Sequence, residues 1–326
     1  MPYYPPQPDR KPDEPEKESS LLDRKWFRRS VLVLCVCLIA WGGIRLIGYG
    51  ADWISSRRTA RELKAAALET GLPPEPVTEP PVFPLPDPEK TSLSPVPETD
   101  APTPAPSPAP QKTAVSPELP PVAYPGGLKT VSAIRQLRQK SQYVIGWLTM
   151  DGLDEPVALK DNEFFLNHDA KGNRNYNGAI FMDEATDLMT RPYTIFLYGH
   201  NMKTGAMFGN LRKYEDAAYC QKHRVFRFDT LYEEGEYAAF AVAVIGLTPG
   251  TARYFNLEDL NSTDRSTRKN AVRRLETLSA HPVLVDVNEE DQILLLVTCT
   301  GDDDEREILA ARRLRENEAA NRVTLK

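Results

Sequence analysis

A cysteine, a histidine and an arginine in this chain each stand where a strand-like apolar run meets a turn. Cys299 closes the run Gln292-Ile-Leu-Leu-Leu-Val-Thr-Cys, and Arg306 follows it across Thr-Gly-Asp-Asp-Asp-Glu. His200 ends Thr194-Ile-Phe-Leu-Tyr-Gly-His and opens a loop that carries Gly205 and Gly209. A thiol within hydrogen-bond reach of an imidazole yields a thiolate, the form of cysteine that attacks carbonyls. An arginine adds a fixed positive charge with several donors, suited to the oxyanion that such an attack creates. The three residue types together point to acyl transfer through a thioester. Each also has an ordinary structural role. A lone cysteine is among the most often buried residues, a strand-end histidine commonly makes a surface hydrogen bond, and Arg306 has Asp302, Asp303 and Asp304 as local salt-bridge partners. His168, His223 and His281 lie beside turn residues and are assigned structural roles. The acidic run at 302–305 lacks the spaced ligands and turn glycine of a calcium loop. It reads as a solvated turn, and no metal site is expected.

Such chemistry requires both strand ends to be brought together. The continuous apolar run at 293–297 predicts a strand buried on both faces. Further strands are predicted over 143–149, 179–182, 194–198, 225–229, 238–245 and 283–287, with a strand-like run at 308–311 after the acidic turn. Many short strands with few helices between them indicate a β-barrel or sandwich rather than alternating βαβ units. Residues 130–142 carry Val131, Ile134 and Leu137 at helical spacing. The main helical insertion is 262–278, capped by Asp264 or Ser262, with Ala271, Val272, Leu275 and Leu278 as its apolar stripe.

The globular mass is confined to the C-terminal part of the chain. Of 29 prolines, six precede Glu16, nineteen lie between Pro73 and Pro125, and four follow. Residues 1–29 read as a disordered tail. Residues 30–54 hold the apolar run Val31-Leu-Val-Leu-Cys-Val-Cys-Leu-Ile-Ala-Trp-Gly-Gly-Ile, then Arg45. With Arg45 snorkelling and Trp41, Tyr49 and Trp53 at an interface, the segment is expected to be an uncleaved, single-pass signal anchor rather than a cleaved signal peptide. Basic residues flank it on both sides, so charge alone does not orient it. A stalk helix is expected over 55–72. A proline-rich linker follows over 73–125, read as an extended spacer rather than an SH3-type ligand. Residues 126–326 form the candidate domain. The net charge of −6 and the absence of a basic, aromatic-interleaved stripe give no sign of nucleic-acid binding. Four cysteines, two of them in the apolar run, exclude a disulfide framework.

Several segments in order then carry a family resemblance: Val144-Ile-Gly-Trp-Leu, Glu155-Pro-Val, Lys160-Asp-Asn-Glu-Phe-Phe-Leu-Asn-His-Asp and Gly178-Ala-Ile-Phe-Met-Asp. They are followed by Tyr198-Gly-His-Asn-Met-Lys-Thr-Gly-Ala-Met-Phe-Gly and Val297-Thr-Cys-Thr with the later Arg306. Over 126–313 the chain resembles a class B sortase. The resemblance implies a mainly β fold: a closed sortase-type barrel with an N-terminal helix and a long helix inserted between the sixth and seventh strands, preceded by a single transmembrane helix. It implies a membrane-anchored cysteine transpeptidase with its N-terminus in the cytoplasm and its catalytic domain outside the cell. Cys299 would be the nucleophile, His200 the general acid and base, and Arg306 the oxyanion and substrate-orienting residue. Asn162, Leu166, Tyr198 and Thr298 would line the cleft, with Tyr254 and Phe255 as further substrate contacts. No cofactor is implied. The implied partners are secreted proteins with a C-terminal sorting signal, and an amine of a peptidoglycan precursor or a pilin lysine. Two departures stand out: the turn before Arg306 is short, and Glu307 stands where an apolar residue is common. Arg312 and Arg313 are alternative arginines, though the run Asp303-Asp-Glu-Arg favours Arg306. A secreted cysteine peptidase and a non-catalytic binding protein on the same scaffold are the rival functions.

Overall fold

The computed structural model describes residues 25–68, 130–316, 318–319 and 323. The expected tail before residue 25, residues 69–72 of the expected stalk and the proline-rich linker lie outside the described residues. Two compact units divide the chain, Met1–Ala51 and Asp52–Lys326.

One continuous helix, α1 (Lys25–Leu68), runs through the expected anchor and into the expected stalk. The single-pass anchor over 30–54 is overturned, and with it the membrane placement of the chain. Among the described residues no helix is long and apolar enough to cross a membrane. Arg45 is the physical reason, because it ends the apolar run at residue 44, short of the about 20 residues that a hydrocarbon core requires. Beyond it come only Leu46-Ile-Gly-Tyr-Gly-Ala before Asp52, and from Asp52 onward the helix is largely polar and charged and belongs to the second unit.

That unit is built on a closed barrel with the strand order β1-β2-β3-β4-β7-β8-β6-β5. Its strands are β1 (Val144–Met150), β2 (Leu153–Ala158), β3 (Ile180–Met182), β4 (Thr194–Tyr198), β5 (Val225–Thr230), β6 (Glu236–Gly246), β7 (Ile293–Cys299) and β8 (Glu305–Arg313). Three helices accompany them: α2 (Ser132–Lys140), α3 (Ala217–His223) and α4 (Arg265–Leu278). Most neighbours are antiparallel, but β2–β3 and β4–β7 are parallel. The inserted helix α4 lies between the sixth and seventh strands, as expected. Asp264 caps it, accepting from the Thr267 amide, while Ala271, Val272 and Leu275 are buried.

The apolar run of β7 makes sense in this setting. Leu294 and Leu296 join the barrel interior with Leu148, Phe228 and Leu309. Ile293, Leu295 and Val297 face the other way and pack with Phe196, Ile308 and the α4 residues Val272 and Leu275. Burial on both faces removes the polar alternation that a half-exposed strand would show. Two expectations differ. Residues 283–287 are not a strand, because only Val285 is buried there and Leu284 is 60% exposed. Conversely β2 is a full strand even though Asp154 and Glu155 break its apolar pattern.

Candidate active site

Strand register brings the three candidate residues to one edge of the barrel. In the parallel pair β4–β7, Tyr198 stands opposite Val297, so both strands deliver their C-terminal ends to the same edge. Just beyond that pair, the Gly199 amide donates to the Val297 carbonyl at 3.3 Å. The Thr298 hydroxyl donates to the Gly199 carbonyl at 2.7 Å. Asn201 Nδ2 donates to the Cys299 carbonyl at 2.8 Å. These bonds bind the His200 segment to the Cys299 segment on both sides of the candidate pair. In the antiparallel pair β7–β8, Cys299 stands directly opposite Arg306, and such residues project from the same face of a sheet.

Cys299 is a free, exposed thiol. The His200 ring is held at Nε2, which donates to the Leu166 carbonyl at 2.7 Å. A carbonyl only accepts, so Nε2 carries a proton and Nδ1 is left to exchange one with a reacting group. Gly178 closes the space behind the ring. At its φ of +63°, a Cβ there would lie 2.3 Å from the Phe165 carbonyl and 3.2 Å from His200 Cδ2, so only glycine fits. Arg306 Nη1 donates to the carbonyls of Asp303 and Glu305, each at 2.8 Å. Among the described residues no carboxylate pairs with Arg306, although three aspartates precede it. Asp302 instead accepts from the Asp304 amide and shapes the turn, which Gly301 opens at a φ of +105°.

Tyr198 and Asn162 meet at a residue that sequence reasoning had not singled out. Both donate to Asp183 Oδ2, at 3.0 Å and 3.2 Å. Burial raises the Tyr198 phenol above its ordinary range, the Asp183 charge adds to that, and Arg306 opposes it. The charge of Arg306 is thus felt on β4, across the strand that carries Cys299. Asp183 ends β3 much as His200 follows β4, and that strand-end position was the available signal for it. Asn201, next to His200, was also missed.

The remaining expected contacts divide. The Leu166 side chain is 44% exposed, while its carbonyl serves His200. Thr298 is buried and serves Gly199. Tyr254 is half-buried and bridges to Gly246, a residue paired with Glu305 on β8. Phe255 is buried in the outer cluster with Leu260 and Leu275, a packing role. The other histidines hold structure: His168 stacks on Phe164, His223 lies against Tyr219, and His281 Nε2 donates to the Tyr214 carbonyl. Arg312 and Arg313 sit toward the opposite end of the barrel, with Arg312 facing Ile293 at the start of β7.

Glu307, the unusual residue after Arg306, stands opposite Thr298. It is 5% exposed, and among the described residues its Oε1 has no hydrogen-bond partner. Burial pushes its carboxyl up to about 7, with Glu215 adding to the effect and Arg212 opposing it. The folded protein therefore holds this proton more tightly than the unfolded chain does. Its contribution to stability is complete below about 4.5 and is lost as pH rises through about 7. Glu307→Gln should unfold at a higher urea concentration than the parent at pH 8, by roughly 2–3 kcal/mol, with the gap narrowing toward pH 5. Urea midpoints at both pH values check this. Glu155, also pushed up to about 7 by burial and Asp154, leaves a residual slope in both proteins.

The sequence and the fold were compared with known proteins. Residues 153–314 match the family model of the sortase domain. Sortase B of Listeria monocytogenes is 30% identical over 174 residues, covering 52% of this chain and 68% of that protein. Sortase B of Staphylococcus aureus is 26% identical over 166 residues, covering 50% of this chain and 66% of that protein. The crystal structure of sortase B from B. anthracis in complex with AAEK2 superposes with a TM-score of 0.51 at 28% identity, covering 60% of this chain and 87% of that one.

Proposed function

Because the chain belongs to the sortase family, within its class B, and is thereby a cysteine transpeptidase, we propose that its reaction runs through Cys299, His200 and Arg306. The observation that carries this reading is the register: Cys299 opposite Arg306 on β8, and His200 two residues past β4, which lies parallel to β7. The Cys299 thiolate attacks the carbonyl of a threonine within a C-terminal sorting signal. The C–N bond after that threonine breaks, His200 gives its proton to the leaving amine, and a thioester remains on Sγ. An incoming amine then attacks the thioester, loses a proton to His200 and frees the thiol. Arg306 faces the oxyanion formed in both steps. Asn162, Leu166, Tyr198 and Tyr254 flank the path of the substrate chain, while the buried Thr298 ties β7 to Gly199. The acceptor is an amine of a cell-wall precursor or of a pilin lysine.

Transfer and hydrolysis give different products from one thioester. A library of labelled peptides with one fixed threonine, incubated with the protein and millimolar hydroxylamine, should yield the threonyl hydroxamate in place of most of the free acid. Mass spectrometry distinguishes the two. Free acid as the sole product at every hydroxylamine concentration would identify a peptidase instead. No cleavage of any library member would favour a binding protein.

A further inference from the structure

Polar residues of α1 that look like an ordinary solvent face are buried against the loop behind His200. Asp52, Ser56, Thr59, Ala60 and Leu63 recur at helical spacing and form one stripe. Ser56 and Thr59 are nearly inaccessible, and Leu63 is fully buried. Their partners lie in the loop at 167–178, which is likewise rich in buried polar groups: Asp169, Asn175 and Asn177 are 2–3% exposed. The Ser56 hydroxyl has the Asp52 carbonyl at 3.0 Å and Asn175 Oδ1 at 3.3 Å as acceptors, and its oxygen accepts from Asn177 Nδ2 at 3.4 Å. The Asp52 carboxylate accepts from the Tyr176 amide at 3.2 Å, and its carbonyl accepts from Asn175 Nδ2 at 3.2 Å. Thr59 donates to Asp169 at 3.2 Å. Buried polar groups are costly unless satisfied, so this loop conformation depends on the helix.

The same turn leads directly to the histidine. The Gly178 amide donates to the Asn175 carbonyl at 3.1 Å, and the Ala179 amide donates to the Phe165 carbonyl at 3.0 Å. Gly178 is therefore pressed against the Phe165 and Leu166 carbonyls and the His200 ring at once. The Leu166 carbonyl in that group fixes the proton on His200 Nε2. The path from α1 to the imidazole has three links: Ser56 and Asp52 on the helix, the turn at 175–178, and the Leu166 carbonyl.

We infer that Asp52 and Ser56 are positioning residues for His200, acting through the 175–178 turn to hold the ring in the tautomer that leaves Nδ1 open for proton transfer. This rests on the acyl-transfer reading above, and its test includes a readout that needs no substrate. The full chain with Asp52→Ala and Ser56→Ala together is compared with the parent, with Asp52→Ala alone, with Ser56→Thr, and with Arg58→Ala as a control at an exposed position of the same helix. Nitrogen-15 NMR of the His200 ring should show the Nε2–H form in the parent and in the control, and mixed tautomers in the double variant. With the best library peptide, kcat should fall roughly tenfold, KM should change less than twofold, and Ser56→Thr should restore most of the loss. If the double variant does not fold, Asp52→Ala alone carries the same readouts. A lower melting temperature with unchanged tautomer and kcat would make the contact merely structural and overturn the inference. A parent that cleaves no peptide leaves the tautomer measurement to decide it.

Discussion

Cys299→Ala should reduce kcat/KM for the sorting peptide by at least about 10⁴-fold while leaving the barrel intact. Two features separate these effects. The thiol is exposed at the end of β7, so its removal opens no cavity, and surface substitutions of this kind change stability by about 0.5 kcal/mol or less. The chemistry, by contrast, loses the atom to which the acyl group binds. Without it neither His200 nor Arg306 offers a covalent route, and residues that act as a unit lose nearly all their effect together. Cys220 is the matching control within the same unit. It is 1% exposed, and burial pushes its thiol up to about 11, so it stays protonated and inert at neutral pH. Cys220→Ala should therefore lower the melting temperature and preserve peptide turnover, the opposite pattern to Cys299→Ala. Steady-state kinetics and thermal melts on the two variants check the pair. If Cys299→Ala retained activity within tenfold of the parent, the nucleophile would have to lie elsewhere.

What could be read from the sequence depended on whether a residue's burial was set by its neighbours in the chain. The run at 293–297 announced a strand buried on both faces, and that burial follows from the barrel interior on one side and α4 on the other. His200 and Cys299 were found because each ends such a run, and the parallel pairing of β4 with β7 makes equivalent ends coincide. The role of Asp52 and Ser56 was not legible. In sequence they belong to a polar helix, and their partners in the 167–178 loop are more than a hundred residues away. Residues 283–287 show the opposite failure. Their alternating apolar pattern suggests a strand, yet only an isolated bridge forms at Val285. The apolar run in α1 misled in a third way, since its composition suggested a membrane span while its length before Arg45 does not support one.

Arg306→Ala should reduce kcat/KM roughly 10²–10³-fold, the usual loss on removing a single oxyanion donor, and Arg306→Lys should recover little of it. Geometry gives the reason for that order. Arg306 Nη1 is committed to the Asp303 and Glu305 carbonyls, which anchors one arm of the fork and, in the proposed reaction, leaves the other arm for the oxyanion. A lysine placed there could satisfy the turn or the oxyanion, but it lacks the second arm that does both. The three aspartates of the turn leave the guanidinium its donors: Asp302 accepts from the Asp304 amide, and among the described residues none of the three pairs with Arg306. The two other arginines of β8 should behave differently. Arg312 is fully buried and bidentate to Glu318 at 2.7 Å, and Arg313 pairs with Glu233 at 2.9 Å. Removing Arg312 takes the bidentate guanidinium away from the 5% exposed Glu318 carboxylate, at a cost of about 3–5 kcal/mol. Arg312→Ala should therefore lose the fold together with the activity, whereas Arg306→Ala should melt like the parent and lose only turnover. Thermal melts beside single-turnover thioester formation decide between them. An Arg306→Ala protein that acylates at the parent rate would remove this arginine from the chemistry and leave it as a brace for the turn.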